Sequence, residues 1–274
     1  MGRQERRAKL KEAMDTLTRR GLDLHTPPVD QRRAVVGITR VLIDLLSGRN
    51  PLRASNAARR AQEFFETSLR GETQKPAIAC RKGCAFCCHV TITATAPEIF
   101  RIANWLRDQH KDDFAALLYR VQAADQKTRH LSAPERPGRK IPCAMLVDNA
   151  CSIYAVRPGA CRGLVSPSAA LCERGYNGEN VQIDVPEVWT MLRHAHKQVL
   201  WAALAASRRP TACYEFHHAL RTALEQPDAE SRWLQGEDVF AGVAREFIED
   251  PTVNERNQRT IEALIAAASQ SEPS

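Results

Sequence analysis

The sequence predicts a mainly α protein, with helices on both sides of a small irregular core that contains a β-hairpin and most of the cysteines. Three observations carry this reading. Apolar residues recur at helical spacing over much of the chain. The breaks between those stretches coincide with proline or glycine, near residues 27–28, 48–51, 71, 210, 227, 236 and 251. No alternation of strand and helix patterns suggests a parallel sheet.

The elements follow in order. Residues 4–20 read as a charged helix with Leu10, Met14 and Leu17 as its sparse apolar positions, and His25-Thr26-Pro27-Pro28 breaks it. A second helix starts near Asp30 and carries Val35, Val36, Ile38, Val41, Leu42, Leu45 and Leu46 on helical spacing until Gly48-Arg49-Asn50-Pro51. A third covers about 54–70 and stops at Gly71. After the first cysteines, His89-Val90-Thr91-Ile92-Thr93 reads as a short β-like run. Thr95-Ala96-Pro97-Glu98 is a capping box with proline in the first turn, opening a helix to about residue 109. Another helix covers 112–130, and residues 132–142 read as a loop. Cys143 to Val147 and Cys151 to Tyr154 form a small hairpin with Asp148-Asn149 at its turn. Arg157-Pro158-Gly159-Ala160-Cys161 turns into a short element, and the pattern is helical again from about residue 186. The expected organisation is a basic helical region over residues 1–75, a cysteine-cluster region over 76–178, and a C-terminal helical region over 179–274 packed as one unit with it.

The 274 residues are enough to bury a real core, so a bound metal is not required merely to replace one. No apolar run approaches the length of a membrane span. The charged opening residues are not those of a secretory signal, so the expected location is cytoplasmic, where thiols stay reduced. The net charge of +7 is concentrated in residues 1–79, which hold 16 Lys+Arg against 9 Asp+Glu. Such a segment can meet an acidic partner or nucleic acid. It carries no nucleic-acid motif, and its only aromatics are Phe64 and Phe65. A solvated helical face explains the charge more simply, since arginine is a good helix former.

Eight of the nine cysteines fall between Cys80 and Cys172, and four of them occupy Cys80-Arg81-Lys82-Gly83-Cys84-Ala85-Phe86-Cys87-Cys88. Packing needs no such clustering, because a free cysteine behaves as a small hydrophobe. Thiolates gathered by sequence are what a soft metal ion or an iron–sulfur cluster requires. A disulfide framework is the rival, but it needs an oxidising compartment. Cys143, Cys151, Cys161 and Cys172 follow at longer gaps, unlike the paired knuckles of common zinc fingers. Zinc asks for four thiolates, or three and His89, so eight cysteines can fill two zinc sites. A [4Fe–4S] cluster takes four, leaving the others for zinc or a second cluster. On a regular helix Cys80, Cys84, Cys87 and Cys88 share one face, while Gly83 favours a loop or short turn equally well. Arg81, Lys82 and Arg162 lie beside cysteines, where cations favour thiolates.

Cys80-x3-Cys84-x2-Cys87-Cys88, Pro142-Cys143, Cys151-Ser152-Ile153-Tyr154 and Arg157-Pro158-x2-Cys161-Arg162, in that order, resemble the YkgJ-type cysteine-cluster family over roughly residues 78–175. That resemblance implies chelation of zinc or iron through Cys80, Cys84, Cys87, Cys88, Cys143, Cys151, Cys161 and Cys172. Tyr154, Arg157 and Arg162 would support the ligands from behind, and Pro158 would fix the turn before Cys161. A similar cluster in flagellin lysine N-methylases implies a second reading, an iron–sulfur-dependent modifying enzyme such as an S-adenosylmethionine-using methyltransferase. A third is metal delivery or buffering. The Cys80-x3-Cys84-x2-Cys87 spacing also resembles the radical S-adenosylmethionine signature, which belongs in a β/α barrel; the chain lacks the alternating strands, and Cys88 has no place in that pattern.

Outside the cluster, Cys213 and His217 sit four apart on an expected helix, with His218 adjacent, a spacing that can bind metal but that also suits a buried cysteine and a half-exposed histidine. His194 and His196 fall on different sides of their helix, and Trp201 belongs to the core. No phosphate loop, nucleophile elbow or carboxylate pair is present, so the sequence names no substrate or catalytic residue.

Overall fold

The computed structural model describes residues 29–246 and 250–270. The expected helix over 4–20 and its basic residues lie outside the described residues. The observed elements are mainly helical, with two small two-stranded sheets. Two long helices come first, α1 (Val29–Ser47) and α2 (Arg53–Gly71). A 3-10 turn, Phe86–His89, carries Cys87 and Cys88. Strand β1 (Thr93–Thr95) then runs straight into α3 (Ala96–Gln109), followed by α4 (Phe114–Thr128) and a short α5 (Glu135–Arg139). The hairpin β2 (Leu146–Val147) and β3 (Ala150–Cys151) leads to α6 (Gly159–Arg162) and α7 (Ala169–Tyr176). The long α8 (Glu187–Ala206) precedes β4 (Cys213–Glu215), which enters α9 (Phe216–Glu225) directly. Helices α10 (Ala229–Leu234) and α11 (Pro251–Ser269) follow.

Helix α8 is the hub. It packs against α1, α2 and α11, while α3 packs against α2 and α9, and α9 against α4. The contact face of α2 is a stripe of buried small residues, Ala54, Ala57, Ala58 and Ala61, which lets its neighbours approach closely. Its first turn is closed from another helix, because the backbone N–H and hydroxyl of Ser55 donate to buried Glu230 of α10 at 2.8 and 2.6 Å. One apolar core runs from Leu42 on α1 through Ile99, Leu106, Leu200, Leu220 and Trp233 to Ile261 on α11. A smaller cluster of Phe65, Val165 and Trp189 lies apart from it.

The capping box forms as expected. The backbone N–H of Thr95 donates to Glu98 at 2.9 Å, an arrangement worth about 1 kcal/mol to the helix start. The hairpin turn also forms where expected, with Asp148 and Asn149 both in the left-handed region at φ 48° and 56°, as a type I′ turn requires.

Three local expectations are corrected, and one open alternative is decided. Of the two arrangements left open for residues 80–88, the chain takes the turn at Gly83 and not the regular helix. Gly83, at φ 90°, closes a turn in which the N–H of Cys84 donates to the carbonyl of Arg81 at 3.0 Å. The strand expected at residues 89–93 begins only at Thr93, because the 3-10 turn uses the backbone through His89. The loop expected over 132–142 contains α5, started by Ser132, whose N–H and hydroxyl donate to Glu135 at 2.8 and 2.6 Å. Cys213 is not on a helix with His217. It lies on β4, opposite Thr95, and the tertiary pairing of β1 with β4 overrides the local helical pattern.

Candidate metal centre

The chain between α2 and α8 has little regular structure of its own, so buried polar groups place its loops. Glu98, at the start of α3, is the first anchor. Its carboxylate accepts from the N–H of Thr95, the hydroxyl of Thr95, the N–H of Gly159 at 2.8 Å, and Nε2 of His196 on α8 at 3.1 Å. Nδ1 of His196 faces the Ala61 carbonyl at 3.1 Å. Each ring nitrogen thus faces an acceptor oxygen. Burial works against the Glu98 carboxylate, but the His196 bond and charge and the two backbone donors outweigh it and hold the group at about 2. This network fixes the start of α6, two residues before Cys161. The fit is tight: a Cβ at Gly159 would lie 2.2 Å from Cδ2 of His196.

Arg162 is the second anchor. It donates to Glu66 on α2 at 2.6 Å, to the Ala155 carbonyl at 2.7 Å and to the Arg157 carbonyl at 3.0 Å. Burial pulls its guanidinium down to about 10, and Glu66 opposes that shift. The third anchor lies at the start of α9. Nη1 of Arg136 donates to Glu215 at 3.2 Å, both side chains being buried. The N–H of Ala144 donates to Nε2 of His217 at 3.1 Å. Nδ1–H of His217 then faces the hydroxyl of Thr128 at 3.2 Å, and that hydroxyl donates to the Ala124 carbonyl. A single neutral tautomer satisfies the whole chain. Burial, helped by the Arg136 charge, lowers His217 to about 3. Both its nitrogens are engaged, so it positions the residue after Cys143 rather than offering a lone pair to an ion.

These anchors bring five cysteines to one cavity. Cys87, Cys88, Cys143, Cys151 and Cys161 line a space of about 70 Å³ under Val90, Ile92, Met145, Ile153, Leu164 and Phe216. The hairpin contributes Cys151, opposite Leu146, and the N–H of Cys143 donates to the Cys88 carbonyl at 2.7 Å. Arg136, Arg157 and His217 line the same cavity. Burial pushes the Cys143 thiol up to about 11, raises Cys161 well beyond its ordinary range and raises Cys151. The neighbouring thiols of Cys87 and Cys88 act on each other, which lowers Cys87 and, together with burial, raises Cys88, so the two titrate as a pair.

Cys80, Cys84 and Cys172 do not line that cavity. The N–H of Ala79 donates to the Ser166 carbonyl at 2.9 Å, and the N–H of Ser166 donates to the Cys80 sulfur at 3.4 Å. Cys80 rests on the smaller apolar cluster of Phe65, Val165 and Trp189. Cys172 is on α7, which packs on the 3-10 turn through Tyr176 against Phe86 and His89, with ring centroids 5.7 and 4.8 Å apart. Burial raises Cys172, and the hydrogen bond from Ser166 and the charges of Cys80, Cys84 and Cys87 also act on it. Tyr154 is exposed and stacks under Arg157, whose guanidinium carbon lies 4.1 Å from the ring centroid. It thus supports the arginine rather than a sulfur.

All nine cysteines are free thiols. Among the described residues no three His, Cys, Asp or Glu side chains stand ready-spaced to hold an ion. The donor set nevertheless suits one. The Nε–H donors of Arg136 and Arg157 are buried without a partner, and both residues border the five-thiol cavity. Buried donors left unpaired cost about 1–3 kcal/mol each, and thiolates are the acceptors that would satisfy them. The anchoring roles of Glu98, His196, Gly159, Arg136 and Glu215 leave no pattern in the sequence. Only the capping box of Glu98 gave any local signal.

No helix among the described residues is long and apolar enough to cross a membrane. No curated protein and no solved structure matches the chain. Residues 79–179, a little over a third of the chain and the whole of the eight-cysteine stretch, match the model of the CxxCxxCC family, a putative zinc- or iron-chelating domain, and so carry the cysteine-cluster signature of that family.

Proposed function

We propose that the chain is a cytoplasmic metal-binding protein that chelates zinc or iron through Cys80, Cys84, Cys87, Cys88, Cys143, Cys151, Cys161 and Cys172. The observation that carries the reading is the convergence of five thiols and two arginines with unpaired Nε–H donors on one cavity. Residues 76–178 would be the chelating unit, with 1–75 and 179–274 as the helical frame around it. An ion entering the cavity displaces thiol protons, so affinity should rise with pH. Arg136 and Arg157 would offset the negative charge that several thiolates leave on a divalent ion. The free state of all nine thiols suits a reducing compartment.

The decisive experiment is elemental analysis with an absorption spectrum on protein purified without oxygen. A zinc centre gives a stoichiometric, colourless protein. An iron–sulfur centre absorbs in the visible and bleaches in air. Absence of any thiophilic metal would refute the reading. Cys161→Ser should lose metal, whereas Cys213→Ala should keep it, because Cys213 is buried on β4 and is not among the cavity-lining residues. Equal losses would refute the ligand set.

A further inference from the structure

Cys88 lies on the 3-10 turn and Cys143 on the segment that leads into the hairpin, and both line the five-thiol cavity. Their backbones touch, the N–H of Cys143 donating to the Cys88 carbonyl at 2.7 Å. Among the described residues no other backbone hydrogen bond joins two of the cavity cysteines. Residues paired by such bonds in a sheet hold their Cα atoms about 5.5 Å apart, and a disulfide spans about 4.4–6.8 Å between Cα atoms. The Cys143 charge is also among those that raise the Cys88 thiol, as a sulfur close to it across the cavity does. Both segments are held without a metal. The N–H of Ala144 is fixed on His217 at 3.1 Å, and the ring of His89 packs on Tyr176 of α7 at a centroid distance of 4.8 Å. Cys87 is a poorer partner for Cys88, because a bridge between chain neighbours departs from disulfide geometry.

We propose that Cys88 and Cys143 are a redox pair, oxidised by a peroxide to a disulfide in the metal-free chain, and that this bond closes the cavity to metal until a thiol reductant opens it. In the first step one sulfur of the pair attacks a peroxide oxygen and the O–O bond breaks. The departing hydroxide takes the thiol proton and leaves as water, and the sulfur becomes a sulfenic acid. The second sulfur then attacks the first. The S–O bond breaks, the S–S bond forms, and the second thiol proton leaves in another water. The pair loses two electrons and the peroxide gains them. Two thiols of a reductant reverse the bond by exchange and end as their own disulfide. The consequence for metal rests on the proposed chelation, whereas the bond itself does not. Five sulfurs line the cavity, and the bond withdraws two of them. The three that remain are fewer than the four thiolates of a closed zinc site.

The test uses the full chain, stripped of metal by a chelator without oxygen, and treats it with one equivalent of hydrogen peroxide. Remaining thiols are then alkylated and the linked peptides are read by tandem mass spectrometry. The expected product is lighter by two hydrogen atoms, joins Cys88 to Cys143, keeps its far-ultraviolet circular dichroism, and takes up no zinc until a thiol reductant is added. Cys87→Ser should still form the bond, whereas Cys88→Ser and Cys143→Ser should not; should either of the last two fail to fold, the peptide map of the parent decides alone. A bond that joins any other pair, or oxidation that ends in sulfinic acids with no bond, would overturn the pair. A linked chain that takes up zinc as fully as the reduced one would overturn the block on binding. A reduced chain that binds neither zinc nor iron would refute chelation, a result separate from the mapped bond.

Discussion

Gly159→Ala tests whether the cysteine loops are held by the helical frame. The added Cβ would sit 2.2 Å from Cδ2 and 2.6 Å from Nε2 of His196, against ordinary contacts of 3.4 Å or more, so ring and backbone must separate by about 1.2 Å. The ring has nowhere to go. Nδ1 is bound to the Ala61 carbonyl, Nε2 to Glu98, and Phe65 meets the ring edge-on at a centroid distance of 6.2 Å. Overpacking of this kind costs about 1–3 kcal/mol. Separating Gly159 from His196 also breaks one of the charged hydrogen bonds to Glu98, for about 1.5–3 kcal/mol more. The expected loss is therefore about 3–5 kcal/mol, read from urea unfolding at fixed free zinc. Metal should be lost as well, because Cys161 lies one half-turn beyond the displaced backbone. Gly138→Ala is the control, since a Cβ there meets nothing within 4 Å. It should be neutral or stabilise by up to about 1 kcal/mol, as alanine replaces glycine in a helix. A Gly159→Ala protein within about 0.5 kcal/mol of the parent, with its metal intact, would refute the anchoring argument.

Two further outcomes follow from the other buried charges. Glu98 is held at about 2 against an ordinary 4.5, so its contribution is fully present above pH 4.5 and is lost as pH falls toward 2. The shift corresponds to about 3 kcal/mol, so Glu98→Gln should be less stable by that order at pH 7, with the gap to the parent closing between pH 5 and pH 2; a gap that does not change with pH rules this out. Arg136→Met leaves Glu215 buried without its cation and should cost about 3–5 kcal/mol, whereas Arg136→Met combined with Glu215→Gln should cost less than the two single changes added together. Strict additivity in denaturant titrations would show that the pair is not coupled.

Much of the helical frame was legible because its signals are local. The apolar spacing of α1, the Thr95–Glu98 box and the Asp148-Asn149 turn each lie within one element, and each forms. β4 was hidden because three residues are too few to show alternation, and because its strand geometry comes from β1, more than a hundred residues away. The same physical reason hid the anchors. Glu98 and His196 are 98 residues apart, and Arg136 and Glu215 are 79 apart, so neither pair leaves a pattern that spacing can reveal. The eight candidate thiols were readable as a set, since clustering in sequence is itself the signal. Their division between a cavity and an exposed turn was not, because Cys84 and Cys88 differ by one turn of chain and only the fold decides which way each faces.

The anchors also explain why a chain with an ample apolar core keeps so many buried charges around one irregular segment. Replacing a buried ion pair by apolar side chains of similar volume is often neutral or stabilising, so Glu98–His196 and Arg136–Glu215 are weak arguments for stability alone, and Arg162–Glu66, with its carboxylate partly exposed, is no stronger a one. Apolar contacts are non-directional and would let the loops carrying Cys143, Cys151 and Cys161 slide over the helices. Hydrogen-bonded charges fix both distance and direction. Each of the three ties different parts of the frame together: Glu98–His196 holds α6 to α3 and α8 through the Gly159 N–H, Arg162–Glu66 holds α6 to α2, and Arg136–Glu215 holds α5 to the end of β4. Thiols that must repel one another once ionised need that constraint more than they need added stability. The helical frame is thus what converts a cysteine-rich sequence into a cavity with sulfurs on facing walls, and a substitution in the frame, far from any cysteine in sequence, should reach the metal as directly as the loss of a ligand.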